Sequence, residues 1–140
     1  YLLVLSPPCS IFSQLQNAPS SLQEQLRATT ELVDFSMVLA QLQVERGRYF
    51  VLEHPSGATS WSLPSVRAVT HLPAVDMRTL DPCSYGLTAT GELGEGLARK
   101  PTRLLSKMEA LVAGMVRRCT AAEPCPSCRR VPHRSLETIG

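Results

Sequence analysis

The sequence predicts an α/β fold built on a mostly parallel sheet, and three observations lead there. Continuous apolar runs occur at Tyr1–Leu5 and around Phe50–Leu52, the pattern of strands covered on both faces. Other segments space their apolar residues helically. The two patterns alternate along the chain, as they do where crossover helices join parallel strands.

Tyr1–Leu5 reads as the first strand, followed at once by Ser6-Pro7-Pro8-Cys9. From Ser21 to Glu45, Leu22, Leu26, Val33, Met37, Leu42 and Val44 mark a helix, with Thr29-Thr30 as the point where it would divide in two. Gly47–Pro55 ("GRYFVLEHP") is a second strand, entered through Gly and stopped by Pro. Pro64 in the first turn starts a helix over Ser62–Ala68. A short third strand is expected around Val75–Leu80. "LTATGELGEGLARK", with Gly91, Gly94 and Gly96, reads as a flexible excursion, and "KPTRLLS" as a fourth strand. Leu105, Met108, Leu111, Val112, Met115 and Val116 follow helical spacing. A domain over residues 1–118 would then precede an irregular Cys-, Pro- and Arg-rich tail over 119–140, with no internal repeat.

Length and composition set bounds. At 140 residues the chain is one domain or a piece of one, and 44% hydrophobic residues against 19% charged exclude disorder by composition. A net charge of +2 argues neither for nor against nucleic acid. No apolar run of about 18 residues is present, so no membrane span is expected, and "YLLVLS" does not read as a secretory leader. The chain opens inside a strand, so an N-terminal portion of the fold is expected to be missing. The odd cysteine count (Cys9, Cys83, Cys119, Cys125, Cys128) points to thiol or metal chemistry in a reducing, intracellular compartment.

In open α/β sheets, ligands bind beyond the carboxyl ends of the strands, where Cys9 and Glu53 both stand. Pro7 and Pro8 fix φ and stiffen the loop. Such a loop would aim the Cys9 thiol, and a helix starting soon after would favour its thiolate. The competing reading is a small buried cysteine beside a turn. Glu53 is either an acid kept partly neutral to donate to a ligand, or a cap or ion-pair partner at a strand end.

Four stretches, in order, resemble motifs of the DNA cytosine-5 methyltransferase family across residues 1–106. Pro7-Pro8-Cys9-Ser10-Ile11-Phe12-Ser13 is similar to the family's Pro-Pro-Cys-Gln-x-Phe-Ser loop, and Phe50–Pro55 to its strand ending Glu-Asn-Val. Cys83-Ser84-Tyr85-Gly86 is similar to its Asp-Tyr-Gly turn, and Arg99-Lys100-Pro101-Thr102-Arg103 in part to its Gln-x-Arg-x-Arg strand. Ser10, His54-Pro55 and Pro101 depart from those patterns. The resemblance implies a partial Rossmann-like methyltransferase fold holding the target-base half. In it Cys9 attacks carbon 6 of cytosine, Glu53 bonds ring nitrogen 3 and the amine, and Arg103 contacts the carbonyl oxygen. It further implies DNA as partner, a base flipped from the stack, and S-adenosylmethionine bound by an upstream part. "GELGEG" does not replace that part, because its glycines follow no clear strand. A eukaryotic member would be nuclear.

Two other readings stand beside this one. The chain is a degenerate, non-catalytic module of a larger polyprotein, or a zinc-stabilised nucleic-acid adaptor. For the second, Cys119, Cys125, Cys128 and His133 are spaced CX5CX2CX4H, adequate for tetrahedral zinc. Arg117, Arg118, Arg129, Arg130 and Arg134 would then approach phosphate or simply form a solvated basic tail.

Overall fold

The computed structural model describes residues 1–13, 20–91, 94–119 and 133–135. Its centre is an open sheet of four strands: β1 (Leu2–Leu5), β2 (Tyr49–Pro55), β3 (Asp76–Leu80) and a later strand, Thr102–Ser106. Between β3 and that strand come β4 (Thr88–Gly91) and β5 (Gly94–Arg99), so Thr102–Ser106 is β6; β7 (His133–Ser135) follows. The order across the sheet is β1-β2-β6-β3, and β4-β5-β7 form a second, three-stranded sheet.

The fold is mixed α/β, and the main sheet is only partly parallel. β1 and β2 pair in parallel, whereas β6 lies antiparallel to both β2 and β3. The connection supplies the reason. A parallel neighbour needs a crossover, usually a helix, that carries the chain back across the sheet. After β3 the chain instead runs out and back through the antiparallel β4–β5 pair. It re-enters at the end where β3 stopped, so β6 must run the other way. The glycine-rich "flexible excursion" is therefore ordered strand on both sides of residues 92–93.

Strand register sorts the core. Leu3, Leu5, Phe50, Leu52, Met77 and Leu105 share one face, packed with Val33, Met37 and Ala40 of α1 (Ser20–Glu45) and Val66 and Val69 of α2 (Pro64–Thr70). The opposite face carries Val51, Leu80 and Leu104 beneath Val112 of α3 (Glu109–Gly114). That cover does not reach β1. Leu2 and Val4 are 47% and 66% exposed, so β1 is buried on one face rather than two.

Two helical expectations change, and one for the tail. α1 is a single helix: the Thr29 and Thr30 hydroxyls bond back to the Gln25 and Leu26 carbonyls, each at 2.8 Å, and the helix runs through. Its C-terminus closes on Gly47 at φ 65°, with Gly47 N–H on the Val44 carbonyl and Arg48 N–H on that of Gln43. These two bonds make a Schellman motif. The helix expected from Leu105 is only Glu109–Gly114, because Leu105 and Ser106 belong to β6. Finally, the tail is not wholly irregular, since β7 pairs in parallel with β5.

Candidate functional site

β1 and β2 lie side by side and run the same way, so their carboxyl ends form one rim. β6 is antiparallel and begins where they end, which brings Arg103 to that rim too. All three candidate residues thus reach one edge of the sheet, though by different faces.

Glu53 sits in β2 on the Val51 face, opposite Leu104. It is half-buried, and its Oε2 accepts a hydrogen bond from Ser6 Oγ at 2.9 Å. Ser6 opens the loop that carries Cys9, so acid and loop are joined directly. Cys9 is half-buried, and its carbonyl receives Phe12 N–H at 3.1 Å. That bond closes a four-residue 3-10 turn, Ser10–Ser13, which sinks Ile11 and Phe12 into the core. One such turn supplies little macrodipole to favour the thiolate, and residues 14–19, between it and α1, lie outside the described residues. No hydrogen bond or ion pair joins Cys9, Glu53 and Arg103 to one another among the described residues.

Arg103 pairs across the sheet with His54, so it emerges on the face opposite Glu53. Its guanidinium lies 5.3 Å from the centre of the Trp61 ring, a cation–π arrangement. The Trp61 Nε1–H donates to the Pro55 carbonyl at 2.7 Å.

His54 is the residue that sequence reasoning passed over. It is 3% exposed and contacts Phe12 and Trp61 edge-on. Its Nε2 lies 3.1 Å from the Pro7 carbonyl oxygen, and its Nδ1 lies 2.7 Å from Ser60 Oγ. A carbonyl only accepts, so Nε2 carries the proton and Nδ1 accepts from the Ser60 hydroxyl. Burial lowers the His54 pKa; the Pro7 carbonyl and Glu53 pull it up less strongly, and Lys100 pushes it further down. The signal was present: Phe50, Leu52 and His54 alternate onto one face, so the third had to be buried with partners.

The turn after β3 holds a separate group. Asp81 is fully buried; its Oδ2 accepts Cys119 N–H at 2.7 Å and faces Arg118 Nε at 3.4 Å, while Oδ1 has no hydrogen-bond partner. Cys83 and Cys119 pack together with Leu97. Burial, reinforced by the Cys119 side chain, pushes the Cys83 thiol up to about 11. The turn Pro82–Tyr85 ends at Gly86, at φ 86°, and an open apolar groove of about 420 Å³ lies beside it, lined by Leu80, Tyr85, Leu87 and Met115. Arg117 lies over the Tyr85 ring.

Of the four residues spaced for zinc, Cys125 and Cys128 lie outside the described residues, as do Arg129 and Arg130, and His133 is fixed by backbone pairing alone. Among the described residues no three His, Cys, Asp or Glu side chains form a group able to hold a metal, and no helix is long and apolar enough to cross a membrane. No family model, curated protein or solved structure matches the chain.

Proposed function

We propose that this chain is the target-base half of a DNA cytosine-5 methyltransferase-like domain, with Cys9 as nucleophile. The observation that carries the reading is the Ser6–Glu53 hydrogen bond, which ties the acid of β2 to the loop presenting the thiol. Adjacent parallel strands deliver both groups to one rim, where α/β sheets take their ligands.

The chemistry follows from the two groups. The Cys9 thiolate adds to carbon 6 of a flipped-out cytosine; a sulfur–carbon bond forms and the 5,6 double-bond electrons shift toward carbon 5 and the ring nitrogen. The Glu53 carboxylic acid gives its proton to nitrogen 3, so no net charge is stranded in the ring. Reversal expels the thiolate and returns the proton. Arg103 serves the base carbonyl only by leaving the Trp61 ring and crossing the rim.

S-adenosylmethionine, which the resemblance implies, does not fit the described residues. Gly91 and Gly94 belong to paired strands of a hairpin, not to a strand–loop–helix turn. No methyl-transfer step is therefore assigned to this chain, and DNA enters as the proposed partner.

A second reading, a non-catalytic module of a larger polyprotein, is favoured by the surface. Leu32, Phe35, Val38 and Leu42 form an exposed apolar stripe on α1, and Leu2 and Val4 are exposed separately, on the face of β1 turned away from α1. An adduct assay separates the two. Single-stranded DNA carrying 5-azacytosine, whose ring nitrogen makes carbon 6 more electrophilic, should add covalently to the wild-type chain by intact mass. Cys9→Ser should give no adduct. Absence of an adduct with both proteins supports the module instead.

A further inference from the structure

Cys83 and Cys119 belong to a buried cluster of their own, distinct from the one that holds the Cys9 loop, and take no part in the chemistry above. The fold brings them together from distant segments: Cys83 stands in the turn after β3, and Cys119 in the segment after α3. Both are thiols, 0% and 2% exposed, in contact with each other and clustered with Leu97 of β5. Cysteines whose side chains point apart cannot bridge without backbone movement. These two already touch.

Bonds that do not involve sulfur hold the two segments together. Asp81 N–H donates to the Arg117 carbonyl at 2.8 Å, and Asp81 Oδ2 accepts Cys119 N–H at 2.7 Å. The Arg118 guanidinium pairs with the same carboxylate oxygen at 3.4 Å. On the Cys83 side, Ser84 donates to the Asp81 carbonyl from its N–H at 2.9 Å and from its hydroxyl at 2.6 Å, fixing the turn Pro82–Tyr85. Asp81 thus anchors the chain on either side of the sulfur pair. Joining two groups held in place beforehand needs little further ordering.

We propose that Cys83 and Cys119 are a redox-linked pair that closes to an intramolecular disulfide when the chain meets a low-molecular-weight disulfide such as oxidised glutathione. The exchange has two steps. One cysteine, as thiolate, attacks a sulfur of oxidised glutathione, forming a mixed disulfide and releasing one glutathione thiolate. The other cysteine loses its proton, attacks the protein-bound sulfur and expels the second glutathione. Two electrons pass from the protein pair to glutathione, and the two protons end on the released thiols.

The bridge would close a loop that contains β4, β5, β6 and α3, and so restrain the unfolded chain. It would also staple a small core, as disulfides commonly do. Burial, with Cys119 and Asp81 beside it, pushes the Cys83 thiol up to about 11. So weak an acid forms thiolate slowly and is a poor leaving group, so the pair closes slowly and the bridge then resists reduction. None of this depends on the role given to Cys9.

The test is oxidation of the full 140-residue chain in glutathione buffers of stepped potential, then alkylation in denaturant and peptide mapping. A linked Cys83–Cys119 peptide should appear on oxidation and vanish on reduction. Fragmentation at the Glu123–Pro124 bond distinguishes Cys119 from Cys125 and Cys128. A second protein, carrying Cys9→Ser, Cys125→Ser and Cys128→Ser, keeps only the pair and leaves the buried cluster untouched. Both of its thiols should take up alkylating reagent when reduced and neither when oxidised. Its urea midpoint should rise by at least about 1 M on oxidation. Two alkylatable thiols, or two lasting glutathione adducts, after oxidation overturn the proposal. So does a bridge from Cys119 to Cys125 or Cys128 in place of the Cys83 link, or an unchanged urea midpoint.

Discussion

His54 Nε2 donates to the Pro7 carbonyl at 3.1 Å, so a ring buried in the sheet holds the loop that carries Cys9 two residues later. The pairing answers a constraint written in the sequence. Pro7 and Pro8 have no N–H, so their backbone can be gripped only through its carbonyls, by a donor. His54 supplies that donor from β2, and Ser60, on the turn Thr59–Ser62, fixes its tautomer from the other side.

The clamp makes stability depend on pH. Burial holds the folded-state pKa of His54 below the ordinary value of about 6.5. Above that value His54 is neutral in both folded and unfolded chains. As pH falls below it, the unfolded chain takes up the proton first, and stability is lost until the lower folded-state pKa is reached. Glu53 opposes the shift, and Lys100, with Arg103 across the strand, adds positive charge nearby. Urea midpoints measured between pH 7.5 and 5 should fall for wild type. His54→Phe should remove that part of the slope.

The same histidine positions the thiol. His54→Ala removes a donor and leaves the Pro7 carbonyl and the buried Ser60 hydroxyl unpaired, at a cost of about 2–4 kcal/mol. Cys9 should then react faster with iodoacetamide at a denaturant concentration where the chain is still folded. Unchanged reactivity would mean that the prolines alone fix the loop.

Gly47 tests the end of α1 cleanly. Its φ is 65°, and a Cβ there would meet nothing within 4 Å, so only backbone conformation is at stake. Gly47→Ala should destabilise by about 1 kcal/mol, read as a lower urea midpoint with unchanged slope.

Burial predicts a contrast between two apolar residues. Leu105 is fully buried between β2 and β3, and Leu105→Ala should cost about 2–5 kcal/mol. Phe35, 60% exposed on α1, gains little from its ring, and Phe35→Ser should change stability by less than about 1 kcal/mol.

The sequence made β1, β2, α1 and α2 legible because apolar periodicity reports burial directly, and all four face the core. It did not reveal the direction of β6, which follows from where the β4–β5 hairpin returns the chain. The hairpin itself was obscured by Gly91, Gly94 and Gly96, which weaken strand propensity without preventing pairing. Cys9 and Glu53 were visible through their motifs. The Ser6 hydroxyl that joins loop to acid, and the side-by-side placement of Cys83 and Cys119, are tertiary facts with no local pattern.

The rim chemistry is tested most directly by hydrogen exchange at carbon 5 of cytosine. Attack on carbon 6 leaves an enamine that takes a proton from water at carbon 5, and reversal then releases either hydrogen. Single-stranded DNA deuterated at cytosine carbon 5 should therefore lose its label in the presence of the wild-type chain. Cys9→Ser should abolish the exchange, and Glu53→Gln should slow it roughly 100- to 1,000-fold. Label retained with wild type, or lost equally with Cys9→Ser, would contradict the assignment of Cys9 as nucleophile.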